Sequence, residues 1–227
     1  MDFTNKNIGV LFEAGGETIY INQTHLSTWL VMGLLIALAI AVRIALPRFR
    51  DEPRGLQNAI EAVVDIMSGF SSSTLGRGAD HLGGAYFSIF LFILFSNYSS
   101  LVGLRPPTAD LSTTAALGLV TFALIQYTGI RSMKGGYVKS FLEPYPVFFP
   151  LNLIGELSRP VSLAFRLFGN VLGGLIIIGI VYRLLPLALR FLVPHILHAY
   201  FDVFVGALQA FIFTVLSMTF IRQKAEV

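Results

Sequence analysis

Residues 191–221 run for 31 positions with a single charge, Asp202. Three other runs, 82–104, 111–130 and 26–42, have 23, 20 and 17 residues with no charge at all. A helix needs roughly 20 mainly apolar residues to cross a hydrocarbon core about 30 Å thick. Water is absent there, so such segments must satisfy their own backbone as helices. Only 13% of the 227 residues are Asp, Glu, Lys or Arg, against about 25% in soluble domains. So few charges cannot coat a water-soluble protein of this size. The chain is expected to be an all-α polytopic membrane protein.

The cations order the crossings. Residues 1–25 form a polar external segment, in which Lys6 is the one cation beside Asp2, Glu13 and Glu17. A first crossing at 26–46 ends at Arg43, Arg48, Arg50 and Arg54, with Pro47 and Pro53 as helix stops. Cationic ends stay in the cytoplasm, which puts the N-terminus outside. In 53–77, Leu56, Ile60, Val63, Val64, Met67 and Phe70 recur at helical spacing, opposite Gln57, Glu61 and Asp65. That pattern reads as an amphipathic helix at the cytoplasmic interface. Crossings at 82–104 and 111–130 follow, the latter returning inward to Arg131, Lys134 and Lys139. A long apolar stretch, 147–185, would extend about 58 Å as one helix, so it must bend, tilt or lie partly along the membrane. The fifth crossing, 193–221, ends at Arg222 and Lys224, placing the C-terminus inside.

The absence of cysteine excludes disulfides and thiolate metal sites. The net charge of +3 lies mostly beside apolar runs and reads as topology rather than nucleic-acid binding. The sequence has no phosphate-binding glycine loop, so no nucleotide and no cofactor are expected.

Two polar sets stand out at membrane depth. Arg166 is followed by 16 uncharged residues. An arginine in hydrocarbon costs at least a few kcal/mol, so it usually faces protein or water and serves a function. Asn170, at i+4, shares its face, and Gly169, Gly173 and Gly174 keep the helix slim enough for a close neighbour. Two plainer roles stand beside this: Arg166 snorkels to the interface, or braces the fold through Glu156. Glu156 lies roughly 80° around and about 15 Å along the same helix, and Arg159 at i+3 suits it better. On the last helix Asp202, Gly206, Gln209, Phe213 and Ser217 line one face. A carboxylate there suggests an aqueous cavity open to the outside; the plainer alternative is a salt bridge from Asp202 to Arg166 or Arg190.

The run from Arg159 to Asn170, RPVSLAFRLFGN, resembles the signature of subunit a of F-type ATP synthases, of the bacterial type. GALQAFIFTVL, starting at Gly206, resembles that family's last helix. PTADLST, starting at Pro107, resembles its turn before the central crossing, and Asn97 precedes it on a helix that is polar in the family too. The resemblance covers most of the chain beyond the first 20 or so residues.

What the resemblance implies is a non-catalytic stator subunit in the bacterial inner membrane. Five crossings and the interfacial helix would set a long tilted hairpin, formed by the last two, against a rotor ring. Partners would be that c-ring, the peripheral-stalk b subunits and the lipid bilayer, with H⁺ or Na⁺ as the translocated ion. Arg166 falls on the family's essential arginine, and Asn170 and Gln209 on its polar channel positions. Some members carry a carboxylate nine residues after the arginine, where this chain has Leu175. Others carry the ionisable group seven residues before the glutamine, here Asp202. Glu156, Asn97, Asp110 and Ser162 are secondary candidates. Two other readings remain open: a self-contained secondary transporter, although no internal repeat is visible, and a non-conducting scaffold, which leaves Arg166, Asn170 and Gln209 unexplained.

Overall fold

The structure, a computed structural model, describes residues 7–14, 17–50, 53–76, 79–133, 136–142, 145–186, 189 and 192–225. Among the described residues, five helical stretches are long and apolar enough to cross a membrane: Gln23–Arg48, Asp80–Val102, Leu111–Met133, Pro146–Leu184 and Val193–Ala225. Their helices are α1 (Gln23–Ala45), α3 (Gly83–Tyr98), α4 (Leu111–Met133), α6 (Phe149–Leu184), and α7 (Val193–His198) continuing into α8 (Gly206–Ala225). Burial is inverted relative to a soluble protein. Trp29, Leu34, Ile36 and Ile40 on α1 are exposed, whereas Ser96, Thr114, Thr121, Gln209, Thr214 and Ser217 are buried. Apolar surface on that scale is stable only in lipid. The chain is thus an all-α multi-pass membrane protein.

One element lies outside that description. Asn7–Ala14 (β1) and Glu17–Asn22 (β2) pair antiparallel, from Asn7 opposite Asn22 to Ala14 opposite Glu17, with register shifts between Asn7 and Gly9 and between Val10 and Phe12. Within the segment read as merely polar, the alternation of Ile8, Val10 and Phe12, the run Thr18–Ile21 and the intervening Gly15-Gly16 are hairpin signals.

The chain gathers into two compact units: Met1–Ile36, Leu91–Thr114 and Phe165–Phe211 in the first, Ala37–Phe90, Ala115–Ala164 and Ile212–Val227 in the second. In the second, Leu75 from α2 (Leu56–Leu75) buries with Ala79, Leu82, Tyr86, Ile125, Met218 and Ile221. Earlier residues of α2 leave Leu56, Val63, Val64 and Ile66 exposed. Small residues permit the close approaches. A methyl on Gly118 would stand 2.9 Å from the Pro160 carbonyl oxygen. Pro160, inside α6, also lacks an amide for the helix ladder. The short α5 (Gly136–Ser140) lays Tyr137 over Gly129, and its hydroxyl donates to Gln126 Oε1.

In the first unit, Asp110 caps α4: its Oδ1 accepts from the Ser112 amide at 3.3 Å and hydroxyl at 3.0 Å. Between α7 and α8 the chain widens into a π-helical turn, Ala199–Val205, in which the Gly206 amide donates to the Phe201 carbonyl five residues back. Such turns are uncommon and recur at functional positions. Phe201 occupies the space a side chain on Gly174 would fill, its atoms 3.2 to 3.3 Å from an ideal Cβ there.

Candidate functional site

The π turn organises a polar cluster within the first unit. Asp202 is buried at 8% exposure. Its Oδ2 lies 2.6 Å from His198 Nδ1, one turn earlier. The far nitrogen, Nε2, stands 3.5 Å from the Tyr182 hydroxyl on α6. A buried carboxylate without a partner would be costly; the imidazole supplies it. The sequence offers Arg166 and Arg190 as partners for Asp202. His198 takes that place, and Arg190 lies outside the described residues. The signal for His198 is its spacing: it stands at i−4 from Asp202, on the same helix face.

Asn97 joins α3 to the same cluster. Its Nδ2 donates to the Gly206 carbonyl at 2.9 Å, and its Oδ1 accepts from Thr108 at 2.6 Å. A methyl on Gly206 would sit 3.0 Å from Asn97 Cβ, so glycine lets the two helices meet. Asn170 Nδ2 donates to Gln209 Oε1 at 2.7 Å, while the buried Gln209 Nε2 has no hydrogen-bond partner. A cavity of about 10 Å³, room for roughly one water, is lined by Asn97, Asn170, Asp202 and Gln209 among others. Three helices thus bring together four of the residues singled out in the sequence. Asp110 is not among them, since it caps a helix.

Arg166 is exposed on α6. Among the described residues it makes no hydrogen bond or ion pair. Gly169 and Gly173 have open space where a Cβ would project. The brace through Glu156 is therefore not formed. Ser162 is likewise exposed on α6.

Glu156 anchors a separate cluster within the second unit. Its Oε1 lies 2.7 Å from Lys224 Nζ and 3.4 Å from Arg159 Nη1, the i+3 pairing expected from spacing. Its other oxygen is buried without a hydrogen-bond partner. Lys224 also stacks over Tyr137 and Phe141, with Nζ 5.4 and 5.5 Å from their ring centres. Burial, and next the Glu156 charge, raise the Tyr137 pKa above the ordinary phenol value, and Arg159 opposes them. A cavity of about 610 Å³ opens beside Asn152, Glu156, Arg159 and Lys224. Lys224 was read from sequence only as a topology marker. Its pairing with Glu156 joins residues far apart in the chain, and no local pattern announces it.

Five apolar spans among the described residues, with a carboxylate and two amides, Asp202, Asn97 and Gln209, buried among them, define a multi-pass helical membrane protein with a polar interior. The family model described as ATP synthase A chain matches residues 25–222. ATP synthase subunit a of Moorella thermoacetica is 37% identical over 93% of this chain and 93% of its own length. The sodium ion specific ATP synthase subunit a of Propionigenium modestum is 34% identical over 89% of this chain and 73% of its own. A chloroplastic subunit a, from Stigeoclonium helveticum, is 32% identical over 95% and 89%. The chain belongs to the ATP synthase subunit a family of the membrane-embedded Fo sector.

Proposed function

We propose that this chain is the non-catalytic stator of a rotary ATP synthase, passing ions to and from carboxylates on a rotating c-ring. The observation that carries the proposal is Arg166: exposed, unpaired among the described residues, and on a glycine-thinned stretch of α6. A cation so placed at membrane depth calls for an anionic partner, here supplied in trans. Ions enter from outside near Asp202, Asn170 and Gln209 and neutralise a ring carboxylate. The neutral site turns into lipid, where a charged one would pay heavily. Ions leave through the inner path, to which Glu156 and the cavity beside it are assigned. Arg166 then meets the bare carboxylate, holds it ionised by attraction, and blocks direct passage between the two paths. Each charge crossing yields about 2.3 kcal/mol per 100 mV, which rotation transmits to a soluble catalytic sector held by the peripheral-stalk b subunits.

The test is flux with and without the ring. Vesicles holding this chain with its ring should pass ions under an applied potential, and vesicles with the chain alone should not. Sustained flux through the lone chain would instead make it a self-contained transporter.

The same reading assigns a bacterial inner-membrane location, with the N-terminus outside and the C-terminus in the cytoplasm. It rests on the cations at Arg43, Arg48 and Arg50, and at Arg222 and Lys224. Single cysteines introduced near residues 5 and 225 should label from opposite faces of sealed membranes. Labelling of both from one face would refute the five-crossing topology.

A further inference from the structure

We propose that α3, α4 and α8 meet at one membrane face to form a binding site for the headgroup phosphate of an anionic phospholipid, with Arg131 as its main contact. Within the second unit a cavity of about 210 Å³ is lined by His81, Tyr127, Thr128, Arg131, Ser132 and Ala225. One water needs roughly 10–15 Å³, so the cavity admits a group the size of a phosphodiester. His81 is in the short turn Asp80–Leu82 ahead of α3, Arg131 is in the last turn of α4, and Ala225 ends α8. On the topology proposed above this face is cytoplasmic, where the leaflet carries a negative surface potential.

The lining selects an anion. None of its residues is acidic, and Asp80, beside His81, is exposed and outside it. Arg131 Nη1 donates to the Tyr127 hydroxyl at 3.2 Å, and Arg131 meets no carboxylate among the described residues. A guanidinium has five N–H donors, so most of them are left for a ligand. Tyr127 accepts that bond and keeps its own hydroxyl proton to donate. His81, also exposed, adds a ring N–H. The other two hydroxyls already donate within the protein: Thr128 to the Leu124 carbonyl at 2.8 Å, Ser132 to the Ala225 carbonyl at 3.1 Å. The groups left for a ligand are therefore mainly donors. Phosphate oxygens match them, and the planar guanidinium can hold two such oxygens at once.

A second observation makes the anion a lipid. Val120, Ala123, Tyr127 and Ile130 are exposed on α4 at intervals of 3, 4 and 3 residues, ending beside Arg131. The 11 steps from Val120 to Arg131 advance about 16 Å and return to within about 20° around the axis. That is the depth of one leaflet, half of a hydrocarbon core about 30 Å thick. An acyl chain can lie along this stripe while its headgroup reaches Arg131. Tyr127, at the junction, has the amphipathic ring favoured at membrane interfaces. A soluble phosphate would make no use of the stripe.

The test uses the intact synthase carrying this chain in phosphatidylcholine vesicles. They are doped, at equal mole fraction, with phosphatidylglycerol or phosphatidylcholine bearing a photoreactive acyl chain. The probe is in both leaflets, so the result depends neither on topology nor on the stator role. After illumination, adducts on the α4 peptide are counted by mass spectrometry. The phosphatidylglycerol probe should label residues 120–130 about fivefold more than the phosphatidylcholine probe, the ratio given by about 1 kcal/mol for one cation at the membrane surface. Arg131→Gln should remove the excess and Arg131→Lys should keep part of it. Millimolar inorganic phosphate should leave it unchanged. Equal labelling by the two probes in the unaltered synthase, or an excess that survives Arg131→Gln, would overturn the site. Loss of the excess to inorganic phosphate would make it a site for soluble phosphate instead. Absence of both adducts from α4 would show the stripe covered by another subunit, and would overturn the proposal too.

Discussion

Arg166→Lys is expected to abolish ion-driven ATP synthesis while leaving the complex assembled. Arg166 is exposed and makes no hydrogen bond or ion pair among the described residues, so its removal breaks nothing inside the subunit. Lysine keeps a formal charge and a similar volume. Its amine, however, can lose a proton when desolvated against a ring carboxylate, whereas guanidinium does not. Lysine also lacks the planar fork that meets a carboxylate with two parallel hydrogen bonds. Coupled synthesis should fall about a hundredfold or more, an effect of roughly 2.7 kcal/mol. Assembly and synthesis measured on the same membranes decide the matter. Near-normal synthesis from an assembled Arg166→Lys complex would return Arg166 to a structural role.

Asp202→Asn should cut synthesis about tenfold or more, the lower range of a lost acid–base relay, with little loss of assembled complex. Asparagine is nearly isosteric and still hydrogen-bonds His198, but it cannot take up a proton. Asp202→Glu should retain part of the activity. The family resemblance implies a carboxylate in some members at the position of Leu175, which this chain lacks. The double change Asp202→Asn with Leu175→Glu should therefore recover some flux. If Asp202 serves only to hold His198, the amount of complex should fall and activity per complex should stay level. Full flux per assembled complex would remove Asp202 from the pathway.

Much of this was readable from one dimension, because a helix repeats locally. Uncharged length marked three of the five spans, and long apolar runs with few charges marked the other two, since a bilayer admits no unsatisfied backbone. The spacing of Asp202, Gly206, Gln209, Phe213 and Ser217 marked a face, and all five are buried. Arg159 found Glu156 at i+3 for the same reason. The anomaly of Arg166 was legible because a charge among apolar residues carries its cost wherever the helix lies. The N-terminal hairpin was legible too, in its alternation around Gly15-Gly16, but strands of 8 and 6 residues give a weaker signal than helices of 16 to 36.

What the sequence by itself determined, then, was which segments are long membrane-crossing helices and which of their residues share a face. Which side chains meet was left to tertiary packing. Phe201 reaches α6 because Gly174 leaves it room, and Asn97 reaches Gly206 for a like reason. The π turn at Ala199–Val205 then sets Asp202 against His198, with Tyr182 of α6 at the far nitrogen. Lys224, rather than Arg166, reaches Glu156. Contacts of this kind depend on how closely two backbones approach. That distance comes from the fit of small residues against large ones on different helices, and no periodicity within a single helix encodes it.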